Sequence, residues 1–388
     1  MNERRTHITP IAVFDISSSS VGAAHALLYP SPNKPALLTA QSRVDIALQE
    51  EVDIDRFVKN TVRSLKLAVD EVRKSDPHHP EHIQLALSAP WYITQTRTIR
   101  YSRATVFTCT KKLIDDLVEK EIAYVFAHDM DRFGEYGKDA TLIDRQISAV
   151  TLNGYQTASP YGKKAHTMEI HIMITLAPQS IIKQFTDVIH HTYGARRLSI
   201  TTSPFAAFVV ARDLLAAPDD FIVLDVGEEI TDVTFIKEQV ILYQHSFPVG
   251  THELYRHIAA TGRYTILEAR GLVESYSTGV LSGKPKAVLE AALSLFIQQW
   301  QKALQQVLDQ GQFGFCLPSH IYLMADPRFE QLFTVTVKDD PYIKHICIRG
   351  IIHPQSINSV LLGAQVHASH GSIDGILGVA TLFVGRYL

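Results

Sequence analysis

The chain has 388 residues, 46% of them hydrophobic and 20% charged, with a formal net charge of −3. That length suits two domains or one divided fold, and the near-neutral charge gives no reason to expect nucleic acid or an acidic membrane surface as a default partner. Three distant cysteines, Cys109, Cys316 and Cys347, argue against a disulfide framework and fit a reducing cytoplasm. No apolar run approaches the ~20 residues of a membrane helix. The basic start, MNERRTHITP, leads into no signal-peptide core.

The first predicted element is a strand, IAVF, running into Asp15. Four serines follow, Ser17 to Ser20, before VGAAHALL returns to apolar residues, which reads as strand, tight turn, strand. Residues 52–74 are amphipathic, with Phe57, Leu65 and Val69 among the apolar positions, and predict a helix covering a sheet. Residues 99–200 hold helix-like KKLIDDLVEKEIAYVF, a polar loop at 131–142 expected to be mobile, and strand-like LIDRQISAVTLNGYQ. A loop with Pro160 and Gly162 follows, then the alternating strand AHTMEIHIMITLA and a helix ended by Gly194.

At residue 221 the opening pattern recurs: FIVL runs into Asp225, VGEE follows, ITDVTFI returns to apolar residues, and QVILYQHSF adds a third strand. Residues 287–308 repeat apolar residues at helical spacing and predict a core helix. A motif recurring about half a chain apart points to two related halves, with a site between them. A strand ending in aspartate can present its carboxylate to a magnesium ion. The turn after it can aim backbone N–H groups at phosphate oxygens. Capping the strand ends is the plainer job for the same aspartates. The 18 histidines include the neighbours His78–His79 and His190–His191, which point in different directions on a regular element. They predict surface positions and no metal site.

These residues resemble the actin-like ATPase superfamily, and within it the bacterial division protein FtsA and the pilus-assembly protein PilM. The run Asp15-Ile16-Ser17-Ser18-Ser19-Ser20-Val21-Gly22 is similar to the first phosphate loop of PilM-type members. Asp225-Val226-Gly227-Glu228-Glu229-Ile230-Thr231-Asp232 stands where the family has its second loop. SFPVGTHELYRHIA and the closing GILGVATLF also match in order. The resemblance implies an α/β fold: duplicated actin-like (ribonuclease H-like) domains around a cleft, with an inserted SHS2-type subdomain. It implies domain 1 at 1–98, the SHS2-like insert at 99–200 and domain 1 again at 201–217. Domain 2 then spans 218–350, with a helical subdomain at about 252–310, and 351–388 return to the closing helix of domain 1.

The family carry-over also names a site. Asp15 and Asp225 would face Mg²⁺; Ser17, Ser18, Ser19, Gly227 and Thr231 would contact the phosphates of ATP. Asp232 would orient water or magnesium, and Ala325 and Asp326 would sit near the nucleoside. Departures from the family pattern weaken that site. Ser17 replaces a loop glycine, Gly22 stands at the lysine position, and Glu228 and Glu229 replace two glycines. Ala325, Asp326 and Pro327 stand where glycines are expected, and Ala269-Arg270-Gly271 lacks the family's acid and lysine. Each glutamate facing a triphosphate at about 5 Å would cost roughly 3 kcal/mol at an effective dielectric of about 20.

The expectation is therefore a cytoplasmic scaffold with nucleotide binding weakened or lost. It would serve the division machinery as FtsA does, docking partners through 99–200. The alternative is a PilM-like platform that binds a membrane protein's cytoplasmic peptide in pilus or secretion assembly. An active ATPase or sugar kinase is disfavoured by the loops. FtsA carries a C-terminal membrane helix, whereas this chain stops at VGRYL, so recruitment to the membrane by a partner is expected instead.

Overall fold

The computed structural model describes residues 7–31, 34–47, 49, 53–128, 130, 135–194, 196–310, 317–347 and 350–387. Cys316 and part of the loop at 131–142 lie outside them. Strands β1 (Thr9–Ile16), β2 (Ser20–Leu28) and β3 (Ala36–Asp45) form a meander. Helix α1 (Ile54–Ser75) starts on Asp53, whose side chain accepts from the Arg56 N–H, and buries Leu65, Ala68, Val69 and Val72. It leads to β4 (His82–Leu87).

Next come β5 (Ile93–Thr108), α2 (Lys111–His128), α3 (Glu135–Lys138), β6 (Ala140–Leu152), β7 (Tyr155–Gln156) and β8 (Lys164–Pro178). They form a separate four-stranded sheet, ordered β5-β8-β6-β7. Its apolar face packs under Ile114, Val118, Ile122 and Val125 of α2. Helix α4 (Gln179–Tyr193) stops at Gly194, whose φ of 72° suits glycine. β9 (Arg197–Thr202) and α5 (Ser203–Leu214) follow.

The second half opens with β10 (Phe221–Val226), β11 (Thr231–Lys237) and β12 (Val240–Phe247). Helices α6 (His252–Gly262), α7 (Ile266–Ser277) and α8 (Gly283–Gln310) precede β13 (His320–Ala325). The chain then runs through α9 (Glu330–Asp339), α10 (Pro341–Ile346), β14 (His353–Ser356), α11 (Ser359–Leu362), β15 (Val366–Ala368) and α12 (Gly375–Tyr387).

The two large sheets are ordered β15-β3-β2-β1-β4-β9 and β12-β11-β10-β13-β14. Each has an antiparallel meander and then two parallel strands, so β3-β2-β1-β4-β9 repeats as β12-β11-β10-β13-β14. The repeat extends to register. Asp15 faces Gly22 across β1–β2, and Asp225 faces Asp232 across β10–β11. Helix α5 is buried on every side from Ser203 to Ala211 because it and α12 lie in one core shared by the two sheets, against Val13 and Ala24 on one side and Phe221 and Val223 on the other. Helices α1 and α4 cover the outer face of the first sheet, and α6 to α9 that of the second.

Candidate functional site: the cleft between the halves

Two four-residue turns meet at the cleft, Ser17–Ser20 after β1 and Gly227–Ile230 after β10. They share one closing bond: the Ser17 N–H donates to the Ser20 carbonyl at 3.0 Å, and the Gly227 N–H to the Ile230 carbonyl at 3.0 Å. The turns also bond to each other. Ser18 Oγ donates to Glu228 Oε2 at 3.0 Å and accepts from the Glu229 N–H at 3.3 Å. The second turn is held from behind, where the Thr251 and His252 N–H groups donate to the Gly227 and Glu228 carbonyls. Gly250 permits that approach, since a Cβ there would stand 2.3 Å from the Glu228 backbone.

A cavity of about 640 Å³ opens beside the turns. Of the residues named from sequence, Ser17, Asp225, Gly227, Asp232, Ala325 and Asp326 line it. Asp15, Ser18, Ser19 and Thr231 do not. Ser19 borders a small hollow on the far side of the loops, with Asp45 and Arg270. Thr231 is buried, its hydroxyl donating to the Val249 carbonyl and accepting from Trp300 Nε1. Asp15 is fully buried behind Arg43 of β3. Arg43 Nη1 donates to Asp15 Oδ2 at 3.0 Å and to Ser20 Oγ at 2.8 Å. Its Nε and Nη2 clasp Asp374 at 2.6 and 3.1 Å. The other Asp15 oxygen accepts from Ser203 at 3.4 Å. Burial pushes the Asp15 carboxyl up to about 6 even though Arg43 pulls the other way.

Asp225 is only 7% exposed, and its Oδ2 has no hydrogen-bond partner. Burial raises its carboxyl well above the usual range, reinforced by Asp232, Asp15 and Glu228. Asp232 accepts from the Tyr92 hydroxyl at 2.7 Å and from Ser246. The two glutamates of the second turn part company. Glu228 faces the cavity. Glu229 turns back to His252 at 2.9 Å and to Arg256 at 2.7 Å; burial opposes its charge, but these partners outweigh it and hold the carboxyl low. Asp326 is paired with Arg328, and Arg270 reaches across the cleft to Asp45 at 2.6 Å.

Sequence reasoning missed Arg43, Asp374, Tyr92 and Ser203. A single basic residue inside the strand ALLTAQSRVD was a usable signal for Arg43. Asp374 sits before Gly375, where its carboxylate accepts from the Ile376 and Leu377 N–H groups, and an aspartate opening an apolar helix reads as a cap. Tyr92 and Ser203 carried no local signal.

The magnesium–nucleotide that such a cleft implies can be tested against these contacts. The Ser17, Ser19, Ser20, Gly227 and Glu229 amides all donate within the protein. Both oxygens of Asp15 are engaged. Among the described residues, no three His, Cys, Asp or Glu side chains could hold a metal ion. Asp15, engaged at both oxygens and covered by Arg43, does not fit the role of a magnesium-facing carboxylate in this arrangement, whereas Asp225 keeps an unpartnered oxygen.

No protein-family model and no curated protein matches the chain. Solved structures do. The chain is similar to a chain of the PilM–PilN type IV pilus biogenesis complex, with 17% identity, 98% of this chain and 99% of that chain covered, and a TM-score of 0.59. It also matches the ethanolamine utilization protein EutJ from Carboxydothermus hydrogenoformans, with 12% identity, coverage of 100% and 92%, and a TM-score of 0.45. A protein from Bacteroides thetaiotaomicron with an actin-like ATPase fold matches at 9% identity, coverage of 98% and 99%, and a TM-score of 0.39. The first of these likenesses carries the fold: the chain has the actin-like fold.

Proposed function

We propose that this chain is a partner-binding platform built on an actin-like frame that no longer works as an ATPase. Its partner, in this reading, is the cytoplasmic segment of a membrane protein in a type IV pilus or secretion apparatus, which would also bring it to the inner face of the membrane. One observation carries the reading: the end-to-end likeness to a chain of the PilM–PilN complex, which takes in the four-stranded insert as well as both halves. The amides of Ser17, Ser19, Ser20, Gly227 and Glu229, which donate within the protein, support the loss of nucleotide use. A division role like that of FtsA is carried by no separate observation.

We assign docking to the four-stranded unit that lies within 99–200 apart from the start of β5, read as an SHS2-type subdomain; the rest of that span, α4 and β9, packs with the first large sheet. Tyr155 and Tyr161 stand out there at 80% and 56% exposed, and exposed tyrosines are favoured anchors for partners. The test is fluorescence anisotropy with labelled peptides tiled along the cytoplasmic segment of the membrane protein encoded beside this gene. One peptide is expected to bind equally well with and without Mg·ATP. The Tyr155→Ala, Tyr161→Ala variant should weaken it by about tenfold or more, which is 1.4 kcal/mol. Binding that requires nucleotide, steady ATP hydrolysis, or no binding by any tile would overturn the proposal.

A further inference from the structure

The cleft has an acidic lining. Asp225, Glu228, Asp232, Asp326, Glu330 and Asp374 all border it, and among the described residues that do, Arg43 is the one basic side chain. That arginine is built in. It lies in β3 directly opposite Gly22 of β2, and a Cβ on Gly22 would come within 2.7 Å of Arg43 Nη2 and 3.1 Å of Cζ. Any side chain at position 22 would therefore displace the guanidinium. On the other side Arg43 grips Asp374, which is itself fixed as the cap of α12. Gln41, on the same face of β3, donates to the Ser372 carbonyl at 2.6 Å and accepts from the Asp374 N–H at 3.1 Å. The guanidinium thus stands between two carboxylates, joins β1 to the start of α12, and screens Asp15 from the cavity.

We propose that Arg43 is the resident cation of this cleft: it occupies the coordinating face of Asp15, Gly22 exists to admit it, and the site works without a divalent metal. Two carboxylates that converge without a counter-charge repel each other and are costly to bury. A bound metal ion is one remedy; a guanidinium with several donors in a fixed fork is another. Here the fork fills the gap, so a metal would have to displace a charge-assisted network. The inference does not depend on the partner proposed above, and its test involves no partner, so either can fail alone.

The experiment is thermal unfolding of the purified chain with a chelator or with millimolar Mg²⁺. The wild type is expected to melt at the same temperature in both. Arg43→Met should lose several degrees with chelator present and regain part of the loss with Mg²⁺, because the freed Asp15 and Asp374 carboxylates then need a cation. Gly22→Lys alone should destabilise by crowding Arg43. Gly22→Lys with Arg43→Ala should melt higher than the sum of the single variants allows, since the lysine can reach the same carboxylates from the facing strand. If Arg43→Met does not fold, a folded, metal-indifferent double variant still upholds the inference. A wild type stabilised by Mg²⁺ alone overturns it. So does an Arg43→Met protein as stable as wild type and indifferent to metal, or a double variant no better than its parents combined.

Discussion

Asp15 shows how burial and pairing compete at one residue. Its carboxyl is ionised and bonded to Arg43 at neutral pH, yet burial lifts it from 3.8 to about 6. The folded state then holds this proton more tightly than the unfolded chain does. The group's contribution to stability rises as pH falls from about 6 to about 4, and keeping it ionised above that window costs on the order of 3 kcal/mol. Asp15→Asn keeps the shape and removes the titration, and Arg43 keeps Asp374. Denaturant titrations at several pH values should show a slope between pH 4 and 6 that flattens in the variant. An unchanged slope would show that other carboxyls set it.

Among the elements, α8 carries the second half. Its inner face presents Leu289, Phe296, Trp300, Leu304 and Val307 to the core beneath the second sheet. Trp300 packs on Phe333 at 5.1 Å between ring centroids, and its Nε1 donates to Thr231 Oγ1 at 3.1 Å, just beyond the second turn. Trp300→Ala should cost about 3–5 kcal/mol, the usual price of an aromatic-sized cavity, read from the urea midpoint. Because Thr231 also donates to the Val249 carbonyl, Trp300→Phe should lose much less. Equal losses in the two variants would mean that the hydrogen bond, not the packed volume, matters here. The helices at 52–74 and 287–308 were legible because their apolar residues recur at helical spacing, and they form as α1 and α8. Of the polar segment at 131–142, residues 135–138 form α3 and the last three enter β6, while 131–134 lie outside the described residues.

At the scale of the whole molecule, links across the cleft tie the halves: Ser18 to Glu228 and the Glu229 N–H, Asp45 to Arg270, and Tyr92 to Asp232 and Gln244. The Asp45–Arg270 pair is largely exposed, and such a pair contributes only about 0–1 kcal/mol. Its effect is positional, because it fixes one half against the other at the mouth of the loops. Arg270→Ala combined with Tyr92→Phe should lower overall stability by about 1–3 kcal/mol, the usual effect of removing a donor from a buried acceptor, and speed amide exchange at the two turns, measured by mass spectrometry. Exchange no faster than in wild type would show that the shared core around α5 and α12 sets the closure unaided.

The sequence by itself determined the duplication and the elements. The two runs ending in Asp15 and Asp225 have matching lengths, and their strands pair in matching register because the side-chain period of a strand leaves few alternatives once one face is buried. It also determined which loop positions depart from a phosphate-binding pattern. Where the side chains point was decided only by tertiary structure. Glu228 and Glu229 are neighbours of identical charge, yet one faces the cavity and the other is drawn to His252 and Arg256 by α6 packing behind the turn. Asp15 reads as an open ligand until β3 sets Arg43 against it, and Asp374, 359 residues further along, completes the clasp. A cation and its carboxylates drawn from opposite ends of a chain leave no local pattern; they meet only because a meander and a closing helix fold onto the same sheet.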